Sequence, residues 1–131
     1  MKTTVIAAAI LLVLAAVTVH AKREAPKKVE PVAKAGIRYE APNNLSRTGM
    51  VEAWDEKSGK KLWERIVYEV KIDPALEEDV QWDFIARLKL DGDTLLVTAE
   101  SGQEYRLNLK TRKVEKVKKD QPPANPSRQQ P

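Results

Sequence analysis

From Leu88 to Val117 the chain reads LKLDGDTLLVTAESGQEYRLNLKTRKVEKV, short apolar–polar alternations cut by turn residues every few positions. A period of two places successive side chains on opposite faces of a strand, so this spacing predicts short antiparallel strands joined by tight turns. The alternation begins upstream, where Val80, Trp82, Phe84, Ala86, Leu88 and Leu90 alternate against Gln81, Asp83, Ile85, Arg87 and Lys89. Val80–Leu90 is therefore expected as one strand. Asp91-Gly92, with Asp93, is the tight-turn signature that joins it to Thr94–Ala99. Ser101-Gly102 turns into Glu104–Leu109, and Lys110-Thr111-Arg112 turns into a last strand at Lys113–Val117.

Met50 to Val70 (MVEAWDEKSGKKLWERIVYEV) carries the same strand, polar turn and strand. Met50–Asp55 reads as a strand with Val51 and Ala53 on one face. Gly59 suits the positive φ of the following loop. A long strand is expected over Lys61–Ile72. Its apolar face holds Leu62, Ile66, Tyr68, Val70 and Ile72, and its mostly polar face holds Trp63, Arg65, Val67, Glu69 and Lys71. Ile37–Ala41 reads as a first short strand ending at Pro42-Asn43-Asn44, and Ala75–Asp79 as an acidic helical turn.

The flanks are of another kind. Residues 1–21, MKTTVIAAAILLVLAAVTVHA, have the layout of a secretory signal peptide, with Lys2, an apolar run and cleavage after Ala21. An uncleaved anchor is the alternative, although the run is shorter than the roughly 20 apolar residues that span a bilayer. Residues 22–36 (KREAPKKVEPVAKAG) read as a flexible linker, and residues 118–131 as a disordered tail. The expected organisation is an all-β domain over 37–117, an antiparallel meander of about six or seven short strands, secreted or periplasmic.

The reactive inventory is short. Cysteine is absent and the one histidine, His20, leaves with the signal peptide. Thiolate metal sites, disulfides and histidine-based triads are excluded from the mature chain. Net charge is +4 of 131 residues, and the basic clusters Lys22-Arg23, Lys27-Lys28 and Lys116, Lys118, Lys119 lie in the flanks. A nucleic-acid reader would carry a denser basic face with stacking aromatics, so no nucleic acid is expected. After signal removal no membrane span is expected either.

Three candidate sites stand out. Glu77, Glu78, Asp79 and Asp83 cluster before the Val80–Leu90 strand, and two carboxylates about 5 to 9 Å apart could hydrolyse a glycoside. Asp91-Gly92-Asp93 could offer oxygens to Ca²⁺, but the turn accounts for it, and no metal or cofactor is expected. Trp54 and Trp63 flank one hairpin loop and, with Val67, are expected to form an exposed partner-binding patch. Trp82 is expected in the core.

Asp55-Glu56-Lys57-Ser58-Gly59-Lys60 recurs loosely as Asn108-Leu109-Lys110-Thr111-Arg112-Lys113. Around it, Thr94–Val114 and Val51–Trp63 resemble the quinoprotein-like repeat of PQQ-dependent dehydrogenases and outer-membrane assembly propellers, whose blades end in a pattern like TLYVGSxDGxLYALDxKTGKxLW. In that family the last-turn Gly and closing Trp dock one blade on the next. Gly59 and Trp63 keep those positions, whereas Arg112 and Glu115 or Lys116 replace them in the second copy. The resemblance implies a β-meander of one to one and a half blades and no quinone site. The whole chain is also similar to small exported bacterial proteins sharing a VEAWDxKxGKKLW-like segment.

The first functional expectation is an exported, non-catalytic interaction or scaffolding module, binding an envelope or secreted protein or a second copy of itself. Two alternatives stay open: a carboxylate hydrolase of envelope carbohydrate, and attachment to an anionic envelope surface through the basic flanks.

Overall fold

A meander with one apolar side can hide it only by folding back on itself. In the computed structural model, which describes residues 23–118, it does so as two four-stranded antiparallel sheets. The first holds β1 (Val32–Lys34), β2 (Ile37–Glu40), β3 (Thr48–Asp55) and β4 (Lys61–Glu69), in that spatial order. The second holds β5 (Ile85–Asp91), β6 (Thr94–Ala99), β7 (Glu104–Asn108) and β8 (Val114–Lys116), again in chain order. Every pairing is antiparallel, as the sequence predicts, and the described residues hold eight strands where about six or seven are expected.

The inner faces share one core. Tyr39, Val51 and Ala53 from the first sheet meet Leu88, Leu95, Val97 and Leu107 from the second. Val51, Leu95, Val97 and Leu107 are wholly buried and Ile85 nearly so, each stabilising the fold by about 1.5–3 kcal/mol. With no cysteine to staple it, this shared core holds the sheets together.

Four tight turns meet at one end of the sandwich. Glu56 N–H donates to Gly36 O, Lys34 Nζ reaches Gly92 O at 2.6 Å and Asp93 Oδ1, and Lys110 pairs with Asp93. The opposite end is closed by connections. Asn43 acts there as a substitute strand partner: its Nδ2 donates to Ile85 O at 2.8 Å and its Oδ1 accepts from Ile85 N at 3.0 Å. Gln81 gathers the 73–81 loop by accepting from Asp73 N and donating to the Asp73 and Glu77 carbonyls.

Several expectations need correction. The linker expected over 22–36 contributes to the fold: Val29 is buried in the core and Val32–Lys34 pairs with β2. Two Pro and interspersed charge hid a three-residue strand that needs only Ala35 and Gly36, both at positive φ, to turn. Strand β5 starts at Ile85, not Val80. A single 3₁₀ turn occupies Asp79–Gln81, so Val80 is exposed and the helical turn lies later than 75–79. The long strand ends at Glu69, short of Ile72, and its facing is wrong as predicted. Its register slips at Ala53/Trp54 and at Gly49/Met50, where Leu62 and Val67 are the extra residues on β4. Each slip shifts the phase of the alternation. Leu62 and Ile66 therefore face out, whereas Trp63, Val67 and Tyr68 face in. The signal-peptide reading of 1–21, with cleavage at Ala21, and all of the tail beyond Lys118 lie outside the described residues.

Candidate interaction face

The hairpin between β3 and β4 is built by one side chain. Asp55 Oδ1 accepts from Lys57 N and Ser58 N at 2.8 and 2.9 Å, and Gly59 N donates to Asp55 O. Those two N–H donors, Ser58 first, hold the Asp55 carboxyl below its ordinary pKa. Gly59 takes φ +71°, which any Cβ would strain. The hairpin between β7 and β8 repeats each contact. Asn108 Oδ1 accepts from Lys110 N and Thr111 N at 2.9 and 3.0 Å, and Arg112 N donates to Asn108 O, with Arg112 at φ +61°. The loose echo in the sequence is thus one turn made twice, each time between the third and fourth strands of a sheet.

Where the structure puts the expected patch decides what it can do. Ala53 pairs with Trp63, and Trp54 with Lys61, so the two indoles lie on opposite faces of the first sheet. Trp63 packs inward, its ring 6.0 Å from Tyr39, with the Arg112 guanidinium 4.9 Å above it. Val67 is buried at 7% exposure. The patch of Trp54, Trp63 and Val67 therefore does not form, and only Trp54 looks outward.

Around Trp54 the outer face is organised in rows. Arg38, Trp54 and Lys61 stand side by side across three strands, and Glu40, Glu52 and Glu64 form the adjacent row. Three carboxylates directly opposite one another repel. Arg38 pairs with Glu40 at 2.6 Å, and Lys61 spans Glu64 at 2.9 Å and Glu52 at 3.3 Å. Two cations thus serve three acids. The hydrogen bond to Glu64, then that to Glu52, raises the Lys61 pKa. Glu52 is buried, at 9% exposure, and the Trp54 Nε1 is shielded with no acceptor among the described residues. Beside them on β4, an edge strand, Leu62 and Ile66 are 48% and 42% exposed.

The other candidates are engaged elsewhere. A depression of about 490 Å³ at the connection end is lined by Arg23, Tyr68, Trp82, Asp83, Glu100 and Tyr105. There Asp83 holds the β6–β7 turn, its Oδ1 accepting from Ser101 N at 2.9 Å and its Oδ2 from Ser101 Oγ at 2.5 Å. Glu78 pairs with Arg47 at 2.6 Å, and that contact keeps its carboxyl below the usual range, the opposite of what a general acid needs. Asp93 is likewise lowered, by Lys110 first and then Lys34, so two ammonium groups occupy the turn considered for calcium. Among the described residues no group of His, Cys, Asp and Glu converges as a metal site, and no helix is long and apolar enough to cross a membrane. Trp82 packs edge-on against Phe84 and is half-buried.

Arg23, counted among the basic flanks, is a latch. Its guanidinium donates to Trp82 O and Asp79 O, pairs with Glu100 and lies 4.8 Å above the Phe84 ring. Nothing local to KREAP signals this, because every partner lies more than fifty residues away. Asn43 is similar: its Pro-Asn-Asn context marks a turn but not the strand end it caps. The chain matches no known protein-family model and no curated protein.

Proposed function

We propose that this is an exported, non-catalytic protein-binding module that engages its partner with the outer face of the first sheet, centred on Trp54. The observation that carries the reading is the half-buried Trp54 indole, its Nε1 shielded and without an acceptor among the described residues, on an open face between Arg38 and Lys61. A large amphipathic ring on a rim of charged residues is the composition of an interface anchor. The exposed Leu62 and Ile66 widen the apolar contact along an unpaired edge. Meanwhile Glu78 and Asp83, the carboxylates best placed for chemistry, are engaged by Arg47 and Ser101. Arg23 is likewise turned inward and unavailable to an anionic surface. Export rests on the pattern of residues 1–21.

The test is a pull-down with the tagged chain from its own cell-envelope fraction, comparing wild type, Trp54→Ala and Trp54→Phe. A protein retained by wild type and Phe, and lost with Ala while circular dichroism is unchanged, supports the reading. Capture that is indifferent to Trp54, or no capture at all, overturns it.

A further inference from the structure

The repeated turn fixes how the two sheets face each other. Counting back from the turn-building Asp55 and Asn108, Ala53 is two residues before Asp55 and Arg106 two before Asn108. Ala53 is wholly buried against the second sheet, whereas Arg106 is exposed on the far side. One residue before, the order inverts: Trp54 faces out and Leu107 is buried. Lys61 and Val114, six residues after Asp55 and Asn108 respectively, invert in the same way, Lys61 outward and Val114 against the core. The sheets thus stack in the same sense, front of one on back of the next. Had they met front to front, equivalent positions would both be buried.

It follows that Glu52, Trp54 and Lys61 occupy on the outer face the positions that Tyr105, Leu107 and Val114 use in the second sheet to pack against the first. The far side of the second sheet is in turn the equivalent of the first sheet's core-facing side. Each outer face already has its complement within the molecule, on the other sheet. Charge agrees with this matching. The first sheet offers the row Glu40, Glu52, Glu64, and the second the row Lys89, Leu96, Arg106, Glu115, in which two cations flank the half-buried Leu96 and one carboxylate stands at the outer end.

From this we infer that the partner is a second copy of this chain, stacked head to tail, the outer face of its second sheet seated on the Trp54 face of the first. The inference rests on the Trp54-face reading proposed above and names its occupant. A face of one four-stranded sheet is at the small end of specific interfaces, about 800 Å² per partner or less, so the association is weak and concentration-dependent.

Sedimentation velocity on the protein as recovered from its expressing cells tests it, over a dilution series at low salt and at about 1 M salt, where screening reaches about 3 Å. Association that rises with concentration and falls at high salt is expected. Glu40→Lys/Glu64→Lys puts cations on the first face, and Lys89→Glu/Arg106→Glu puts acids on the second. All four positions are solvent-accessible, so both variants should fold, with circular dichroism as the check. Each variant alone should associate at least about tenfold more weakly, by like-charge repulsion. Mixing the two should restore association, because each altered face then meets its opposite on the other variant. A monomer at every concentration, variants that associate like wild type, or a mixture no better than its components would each overturn the stacking. A monomer that still captures a different protein through Trp54 overturns the stacking alone, and the binding reading stands.

Discussion

Gly49→Ala is the sharpest mechanical test of the fold. A Cβ at Gly49 would lie 2.2 Å from Tyr68 Cε1, 2.3 Å from Cζ and 2.8 Å from Cδ1, all atoms of one ring. That ring cannot simply move aside. It stacks on Tyr105 at 4.8 Å and 13°, and its hydroxyl donates to Asp83 O at 2.6 Å. Overpacking costs about 1–3 kcal/mol, the hydroxyl bond is worth about 1, and an aromatic pair about 0.5–1.5. The sum is about 3–5 kcal/mol, a large part of the roughly 5–15 kcal/mol that holds a domain. At about 4–8 °C per kcal/mol for a domain this small, the midpoint should fall by at least about 10 °C. A thermal melt followed by tryptophan fluorescence measures the midpoint, urea unfolding the free-energy loss, and a double-mutant cycle isolates the cause. In a Tyr68→Ala background the same Gly49→Ala change should cost about 1 kcal/mol or less, because the obstructing ring is gone. A loss below about 1 kcal/mol in the wild-type background, or strict additivity in the cycle, refutes the clash.

Four further outcomes are expected. Burial first, then the neighbouring Asp83 charge, pushes the Tyr68 phenol above its ordinary pKa, and Tyr39 and Tyr105 are raised mainly by burial too. The fold therefore favours the protonated phenol, so this stability is complete below the unfolded value near about 10 and is lost as pH rises beyond it. Alkaline denaturation should be shallower in Tyr68→Phe than in wild type. Asn43→Ala should cost about 2–4 kcal/mol by denaturant titration, because it orphans both backbone groups of the buried Ile85. Gly59→Ala meets no atom within 4 Å, and should cost about 1 kcal/mol from its positive φ alone. Arg23→Ala should leave the sheets intact by circular dichroism while speeding proteolysis of the 79–84 connection that Arg23 clamps.

How much of this the sequence discloses depends on the range of the interaction. Alternation and turn chemistry are local, so the antiparallel all-β class, the Asp91-Gly92 turn and both Asx-type hairpins are legible in it. Facing is not legible wherever a strand carries an extra residue. Leu62 and Val67 invert β4, and a third irregularity between Ile85 and Arg87 buries Ile85, which simple alternation assigned to the polar side. Val29 and β1 were hidden because their composition is polar and their partner strand supplies the order. The expected Trp patch failed for the same reason, since the slip at Ala53/Trp54 decides which indole looks outward. Arg23 and Asn43 act only across the finished tertiary structure, and no local pattern could have marked them.

The same-sense stacking of the two sheets has a consequence for growth of the gene as well as the protein. A structure whose units all point one way can be lengthened by tandem duplication, since a new unit at either end meets a surface that existing units have already learned to fit. Had the sheets met as mirror partners, every added unit would have needed a new kind of junction.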